Sequence, residues 1–162
     1  MAPVSLTGVR EVRDADSARI LEILAAAFAE YPGCVLELRE VPELLRPATS
    51  ASAHGVRFWV ATRERLVVGF ASVAPTAEPG LLELKKLYAH PDVHGTGVGR
   101  VLLSLVERDA AAHDARRIHL WTDTRFTKAH RVYERRGYVR LPETRELHDV
   151  SRSVEYHYQK EL

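Results

Sequence analysis

The sequence predicts an α/β fold, a layer of helices against a mixed sheet of about seven strands, and three observations predict it. Segments of two-residue apolar period alternate along the chain with segments of helical period. The strongest helical pattern, Val98 to about His113, sets Val98, Val101, Leu102, Leu105 and Val106 on one face and Arg100, Ser104, Glu107 and Arg108 on the other. The clearest strand, Val154 to Lys160, alternates Val154, Tyr156 and Tyr158 with Glu155, His157 and Gln159, as a half-buried strand should.

The remaining elements follow in chain order. Val9–Arg13 reads as a first strand, and Asp14 or Asp16 can cap a helix running to about Phe28 on the apolar face of Leu21, Leu24, Ala25 and Phe28. Tyr31-Pro32-Gly33 stops that helix. The segment from Cys34 to Ala53 carries the weakest signals; a second helix is expected to start at Pro42 and contain Glu43–Leu45. Arg57–Arg63 and Leu66–Val73 read as strands around a tight turn at Glu64-Arg65, Pro75–Gly80 as a loop, and Leu81–Ala89 as a strand ended by Pro91. Ile118–Thr122 is a strand, and Thr127–Arg136 a helix with Ala129, Val132 and Tyr133 inward and Gly137 at its stop. Another strand starts at Tyr138–Arg140, leaving Leu141–Ser153 as a connection to the last one.

Composition narrows the function classes. A length of 162 residues fits one domain with a real core. The 23 Lys and Arg nearly cancel the 22 Asp and Glu, so the footprint of a nucleic-acid binder is missing. No apolar run approaches a membrane span, and Met1–Ser5 shows no signal-peptide pattern. Cys34 is the single cysteine, which excludes an intrachain disulfide; with no base beside it, it reads as an ordinary thiol. These features favour a cytoplasmic protein.

The sharpest local feature is Gly95-Thr96-Gly97-Val98-Gly99, between a strand and an amphipathic helix. Three glycines at a helix start are costly unless the backbone has to be bare. A bare first turn offers unpaired N–H groups and a partial positive charge to an anion, and Arg100 adds a cation on the same turn. A dinucleotide fingerprint would need glycine at Arg100, and a nucleotide P-loop would need Gly-Lys-Ser/Thr; neither is present. The loop is left as either a pyrophosphate site or a plain glycine turn. His90 and His94 flank Pro91 without a third ligand, so no metal site is expected. The other histidines read as structural or surface residues, Trp59 and Trp121 as core or cleft wall, and Arg131, Arg135 and Arg136 as a solvated helix face.

Taken with its neighbours, the loop becomes specific. Leu87-Tyr88-Ala89-His90-Pro91, then His94-Gly95-Thr96-Gly97-Val98-Gly99-Arg100 and Leu102-Leu103, resembles the central motif of the GNAT superfamily of N-acetyltransferases. Ala129-His130-Arg131-Val132-Tyr133-Glu134-Arg135-Arg136-Gly137-Tyr138 is similar to the family's second signature, A-x-x-x-Y-E-x-x-G-F. The resemblance covers Leu81 to Tyr138, and the order of elements extends it. It implies one domain over residues 1–162, with a mostly antiparallel sheet that opens as a V between Leu81–Ala89 and Ile118–Thr122. It implies acetyl-CoA as co-substrate, with the pyrophosphate on His94, Gly95, Thr96, Gly97, Val98, Gly99 and Arg100. The pantetheine arm would pair like an added strand along Leu87, Tyr88 and Ala89.

The implied reaction is direct attack of a primary amine on the thioester. Tyr133 matches the signature tyrosine and is the expected acid for the leaving thiolate, against the alternative of a core aromatic. Glu83 is the expected base, against the alternative of a solvated glutamate paired with Lys85. The acceptor, a small-molecule amine or a peptide, would meet Tyr31–Ala53 and Leu141–Ser153, and a homodimer is compatible with the family. A catalytically silent acyl-CoA sensor on the same fold is the alternative function. Two positions depart from the pattern: His94 replaces the usual Arg or Gln, and Phe126 replaces a common asparagine whose pantetheine contact Arg125 or Thr127 would have to supply.

Overall fold

The computed structural model describes residues 8–162. Seven strands form one sheet among them: β1 (Gly8–Glu11), β2 (Arg57–Arg63), β3 (Leu66–Pro75), β4 (Leu81–Ala89), β5 (Arg117–Asp123), β6 (Val139–Glu146) and β7 (Val154–Glu161), in the order β1-β2-β3-β4-β5-β7-β6. Every pairing is antiparallel except β4 with β5, which are joined through the helix α3 (Val98–Ala112). A parallel pair needs such a crossover, so the amphipathic 98–112 segment makes the one parallel step possible.

Two cores lie on opposite faces of the sheet. On one, α1 (Ser17–Ala29) and α2 (Pro47–Ala53) cover Val60, Val67 and Phe70 with Ile20, Ile23, Leu24 and Ala51. On the other, α3 and α4 (Thr127–Arg135) cover Val68, Leu84, Ile118, Leu120 and Tyr158 with Leu102, Leu103, Val106 and Tyr133. Glu64 and Arg65 both take positive φ (48° and 67°), which closes the β2–β3 hairpin in the two residues expected. Gly69 is bare because β3 passes directly under α3: a Cβ there would stand 2.9 Å from the Tyr88 carbonyl oxygen and from Val98 Cγ1.

Several local expectations are corrected. The second helix does not begin at Pro42: Pro42–Leu44 is a single 3₁₀ turn, and the helix is Pro47–Ala53. Both segments open on a proline, so the first-turn signal was real but twofold. Neither Asp14 nor Asp16 caps α1 through its side chain. Asp14 instead accepts from the Ala48 and Thr49 backbone N–H groups (2.9 and 3.0 Å), capping α2, and Asp16 takes the Arg10 guanidinium (2.8 and 2.9 Å). The first strand ends at Glu11 rather than Arg13. On α3, Val101 is exposed and Glu107 buried, the reverse of the helical-wheel reading. Arg136 (2.7 Å) and Lys160 (2.9 Å) neutralise Glu107, so the polar residue is carried inward by its partners, and Arg136 is no simple solvated charge. β6 extends to Glu146, so the last connection is shorter than expected, 147–153.

Candidate active site

The site is built where the parallel pair comes apart. β4 and β5 are joined only over Leu81–Leu84 against Arg117–Leu120. Both strands continue, β4 to Ala89 and β5 to Asp123, with no rung between them. Lys85 is an extra residue in β4, since Lys86 faces Ser72 while Leu84 faces Val73. Such a bulge bends its strand and sharpens the local twist. The backbone of Leu87–Ala89 thus borders an opening on its β5 side, in the place the sequence motif marks. Leu87 and Ala89 turn their side chains to the α3 core, while Tyr88 packs on the other face against Phe70 (5.4 Å), Phe28 (6.2 Å) and Phe126 (6.4 Å).

At the far end of β4 the chain makes one 3₁₀ turn, Pro91–Val93, then enters the glycine loop. Thr96 Oγ1 donates to the Val93 carbonyl (2.5 Å), closing the turn. Gly95 and Gly97 take φ of 76° and 93°, which favours glycine at both. Gly99 differs: it lies inside α3, has no positive φ, and a Cβ built on it would have nothing within 4 Å. Packing gives no reason for a glycine there, whereas close approach of a phosphate to the first-turn N–H groups does. Arg100 folds back over Gly97, with Nη2 3.3 Å from where a Cβ would sit. His94 is tied sideways, its Nδ1 3.5 Å from Glu30 and 3.4 Å from Lys128 Nζ, and Lys128 itself binds Glu30 (2.7 Å). The ends of α1 and α4 therefore hold the loop, and they bring Lys128 beside it, a cation that the sequence motif does not mark.

Glu83 and Tyr133 sit on different elements, β4 and α4. Glu83 stands opposite His119 on the joined part of the ladder. It pairs with Lys85 (2.6 Å), as the alternative reading had it, and also lies 3.7 Å from His119 Nε2. Tyr133 projects from α4 into the core, its ring against Tyr138 (5.8 Å) and Tyr158 (5.9 Å). Burial pushes its phenol far up, with Tyr158 adding to the shift, so the hydroxyl keeps its proton and can only donate or share it. Phe126 stacks on Phe28 (5.9 Å) and meets Tyr31 at a tilt (5.1 Å, 49°). Arg125 cannot replace the missing asparagine, because it is committed to Asp123 (2.9 and 2.7 Å) and to the Ser151 carbonyl (3.1 Å).

On the α1 side lies a cavity of about 250 Å³ lined by Phe28, Tyr88 and Phe126 together with the carboxylates Glu40, Asp149 and Glu155. The two segments expected at the acceptor side meet here: Val35 N–H donates to Ser151 Oγ (2.8 Å) and Val150 N–H to Glu40 (3.0 Å). Cys34 also lines the cavity; burial raises its thiol, which fits an unreactive role. Sequence reading missed the pairing of His119 with His157, Nδ1 to Nε2 at 2.8 Å, and scattered the two residues instead. Their i and j positions on adjacent strands were the only available signal.

A family profile for the acetyltransferase (GNAT) family matches residues 18–138. The chain belongs to the GNAT acetyltransferase family. The match spans both motifs, the opened strand pair and the α3 crossover between them. An "IAA acetyltransferase" of Azospirillum brasilense is 29% identical over 109 residues, 67% of this chain and 67% of that protein. A GNAT acetyltransferase of Staphylococcus aureus Mu50 superposes with a TM-score of 0.82 at 18% identity, covering 98% of this chain and 99% of its own. The structure of yncA from Salmonella typhimurium with its cofactor acetyl-CoA has a TM-score of 0.72 at 20% identity, covering 96% of this chain and 93% of its own. These likenesses establish the fold of this GNAT acetyltransferase. Among its described residues no helix is long and apolar enough to cross a membrane.

Proposed function

We propose that this GNAT acetyltransferase moves the acetyl group of acetyl-CoA to a primary amine by direct attack. The observation that carries the reading is Gly99, a helical glycine with open space above it beside the gap between β4 and β5. Bound there, the coenzyme supplies an activated thioester. The N–H groups of Gly95–Gly99 and the Arg100 guanidinium hold its diphosphate, and the edge of Leu87–Ala89 accepts the amide-bearing arm as an added strand. An ammonium cannot attack, and a lysine-like amine has a pKa of about 10.4, so a base is needed. Glu83 takes that proton. Tyr133, held protonated by burial, donates to the leaving sulfur and regains a proton from the nitrogen as the amide forms.

The 250 Å³ cavity between α1 and residues 147–155 receives the acceptor. Its aromatic wall suits an apolar body, and the carboxylates in its lining, though engaged with Arg145, Ser153 and Val150, favour a cationic acceptor. Residues 1–162 act as one domain in this reading. The test is release of free coenzyme A thiol from acetyl-CoA across a panel of primary amines. Amine-dependent release is expected, and binding of acetyl-CoA with no release for any amine, peptide N-termini included, would overturn the reading in favour of a silent sensor.

A further inference from the structure

Four side chains form a continuous line on the sheet face opposite α3, where β5, β7 and β6 lie beyond α1 and α2. Glu83 Oε1 is 3.7 Å from His119 Nε2, His119 Nδ1 is 2.8 Å from His157 Nε2, and His157 Nδ1 is 2.5 Å from Glu143 Oε1. The strand register produces the line: Glu83 faces His119 across β4–β5, and Trp121 faces His157 across β5–β7. Trp121 then stacks flat on the His157 ring at 4.2 Å and 6°, and Arg145, over Trp121 at 4.4 Å, clamps the stack. The three inner side chains are mostly buried, at 19%, 15% and 11% exposure, while Glu143 at 54% reaches solvent.

The hydrogen-bond chain has only one consistent proton arrangement when both rings are neutral. A carboxylate can only accept, so His157 Nδ1 carries its proton toward Glu143. His157 Nε2 is then a bare lone pair, and His119 Nδ1 must be the donor to it. That leaves His119 Nε2 unprotonated and aimed at Glu83. Two acceptors 3.7 Å apart make no bond to each other, but both can take a proton from a group brought between them. The charged and titratable neighbours are Glu83 and Lys85 from β4, His157 from β7, and Glu143 and Arg145 from β6. Burial holds the His119 imidazole below its ordinary pKa against the opposing pull of Glu83, so the resting ring is neutral.

The position of this pair suits a base. It stands at the closed end of the opening between β4 and β5, and the glycine loop stands at the other end of β4. A donor anchored by its diphosphate at that loop and laid along β4 would end near Glu83 and His119. Resting on the acetyl-transfer reading above, we propose that His119 Nε2 is a second proton acceptor for the attacking amine, and that His157 and Glu143 are positioning residues that keep it in the accepting tautomer. The ammonium N–H bond breaks and its electron pair stays on nitrogen for attack. The proton goes to His119 Nε2, directly or by way of the Glu83 carboxylate. The imidazolium keeps its Nδ1–H bond to His157 and returns the added proton to water once the amide has left.

Three measurements on the full chain test this. Nitrogen-15 NMR should find His119 protonated at Nδ1 and bare at Nε2 at neutral pH; an Nε2–H tautomer for His119 would overturn the proposal. His119→Asn should lower kcat by roughly 10²-fold or more, the usual share of a general base, with KM for acetyl-CoA unchanged. Glu143→Ala, at an exposed side chain that leaves the sheet intact, should lower kcat about tenfold and displace the acidic limb of the pH–rate profile, and Glu143→Asp should restore both. Amine-dependent thiol release with an unaltered profile in His119→Asn and Glu143→Ala would refute this inference alone. No release by the wild-type protein would instead remove the acetyl-transfer reading and this inference with it.

Discussion

Replacing Gly99 with alanine should make the protein more stable and a poorer binder of coenzyme A at the same time. Gly99 is the second residue of α3, and a methyl built on it meets nothing within 4 Å. Alanine in a helix is favoured over glycine by roughly 0.8–1.0 kcal/mol, so the ligand-free variant gains up to about 1 kcal/mol, a Tm rise of about 1–4 °C for a chain of this size. The same methyl occupies the space through which a phosphate reaches the first-turn N–H groups. Losing one hydrogen bond to a charged oxygen costs about 1.5–3 kcal/mol, or roughly 10- to 150-fold in affinity. Thermal unfolding with and without coenzyme A reads both effects. At a ligand concentration 100 times the wild-type Kd, binding should stabilise the wild type by about 2.7 kcal/mol, and a variant weakened roughly 30-fold by only about 0.9 kcal/mol. A Gly99→Ala protein that binds coenzyme A as tightly as the wild type would refute the assignment of this helix entrance to the diphosphate.

Three more outcomes are expected. Gly69→Ala should destabilise by about 1–3 kcal/mol in urea unfolding, because its Cβ would lie 2.9 Å from the Tyr88 carbonyl oxygen and 3.1 Å from Leu102 Cδ1. Arg125→Ala removes the bidentate partner of buried Asp123 and should cost about 1.5–3 kcal/mol at neutral pH. Burial acts to raise the Asp123 carboxyl, but the Arg125 bonds outweigh it and the folded pKa is lowered. That stabilisation is present above the unfolded pKa of about 3.9 and lost as pH falls through the folded value. The stability gap between wild type and Arg125→Ala should therefore close below about pH 4, and a gap that persists in acid would contradict the assignment. Tyr133→Phe keeps the ring packing against Tyr138 and Tyr158 but removes the hydroxyl proposed to protonate the leaving sulfur; steady-state kinetics should show kcat lower by about 10²-fold at unchanged coenzyme A affinity.

The glycine loop was legible because its chemistry is local. Positive φ at Gly95 and Gly97, the helix entrance and Arg100 all lie within six residues. The hairpin at Glu64-Arg65, the strand periods and the span of α3 were legible for the same reason. Expectations failed where the partner was distant in sequence. Glu107 reads as an outward residue until Arg136 and Lys160 arrive from other elements to neutralise it. Asp14 lies at the entrance to α1, yet its carboxylate serves α2, 34 residues away. Arg125 looked available for the donor until Asp123 and Ser151 claimed it.

Periodicity and glycine chemistry act over a few neighbouring residues, so the fold class, the amphipathic helix from Val98 and the glycines at its entrance could be read from the chain alone. The point at which β4 and β5 part, after Leu84 and Leu120, and the line of Glu83, His119, His157 and Glu143 came only with the folded sheet. Strand order, register and a one-residue bulge set which side chains meet across a sheet, and these depend on pairings between distant residues, such as His119 with His157, 38 residues apart, which no local pattern encodes.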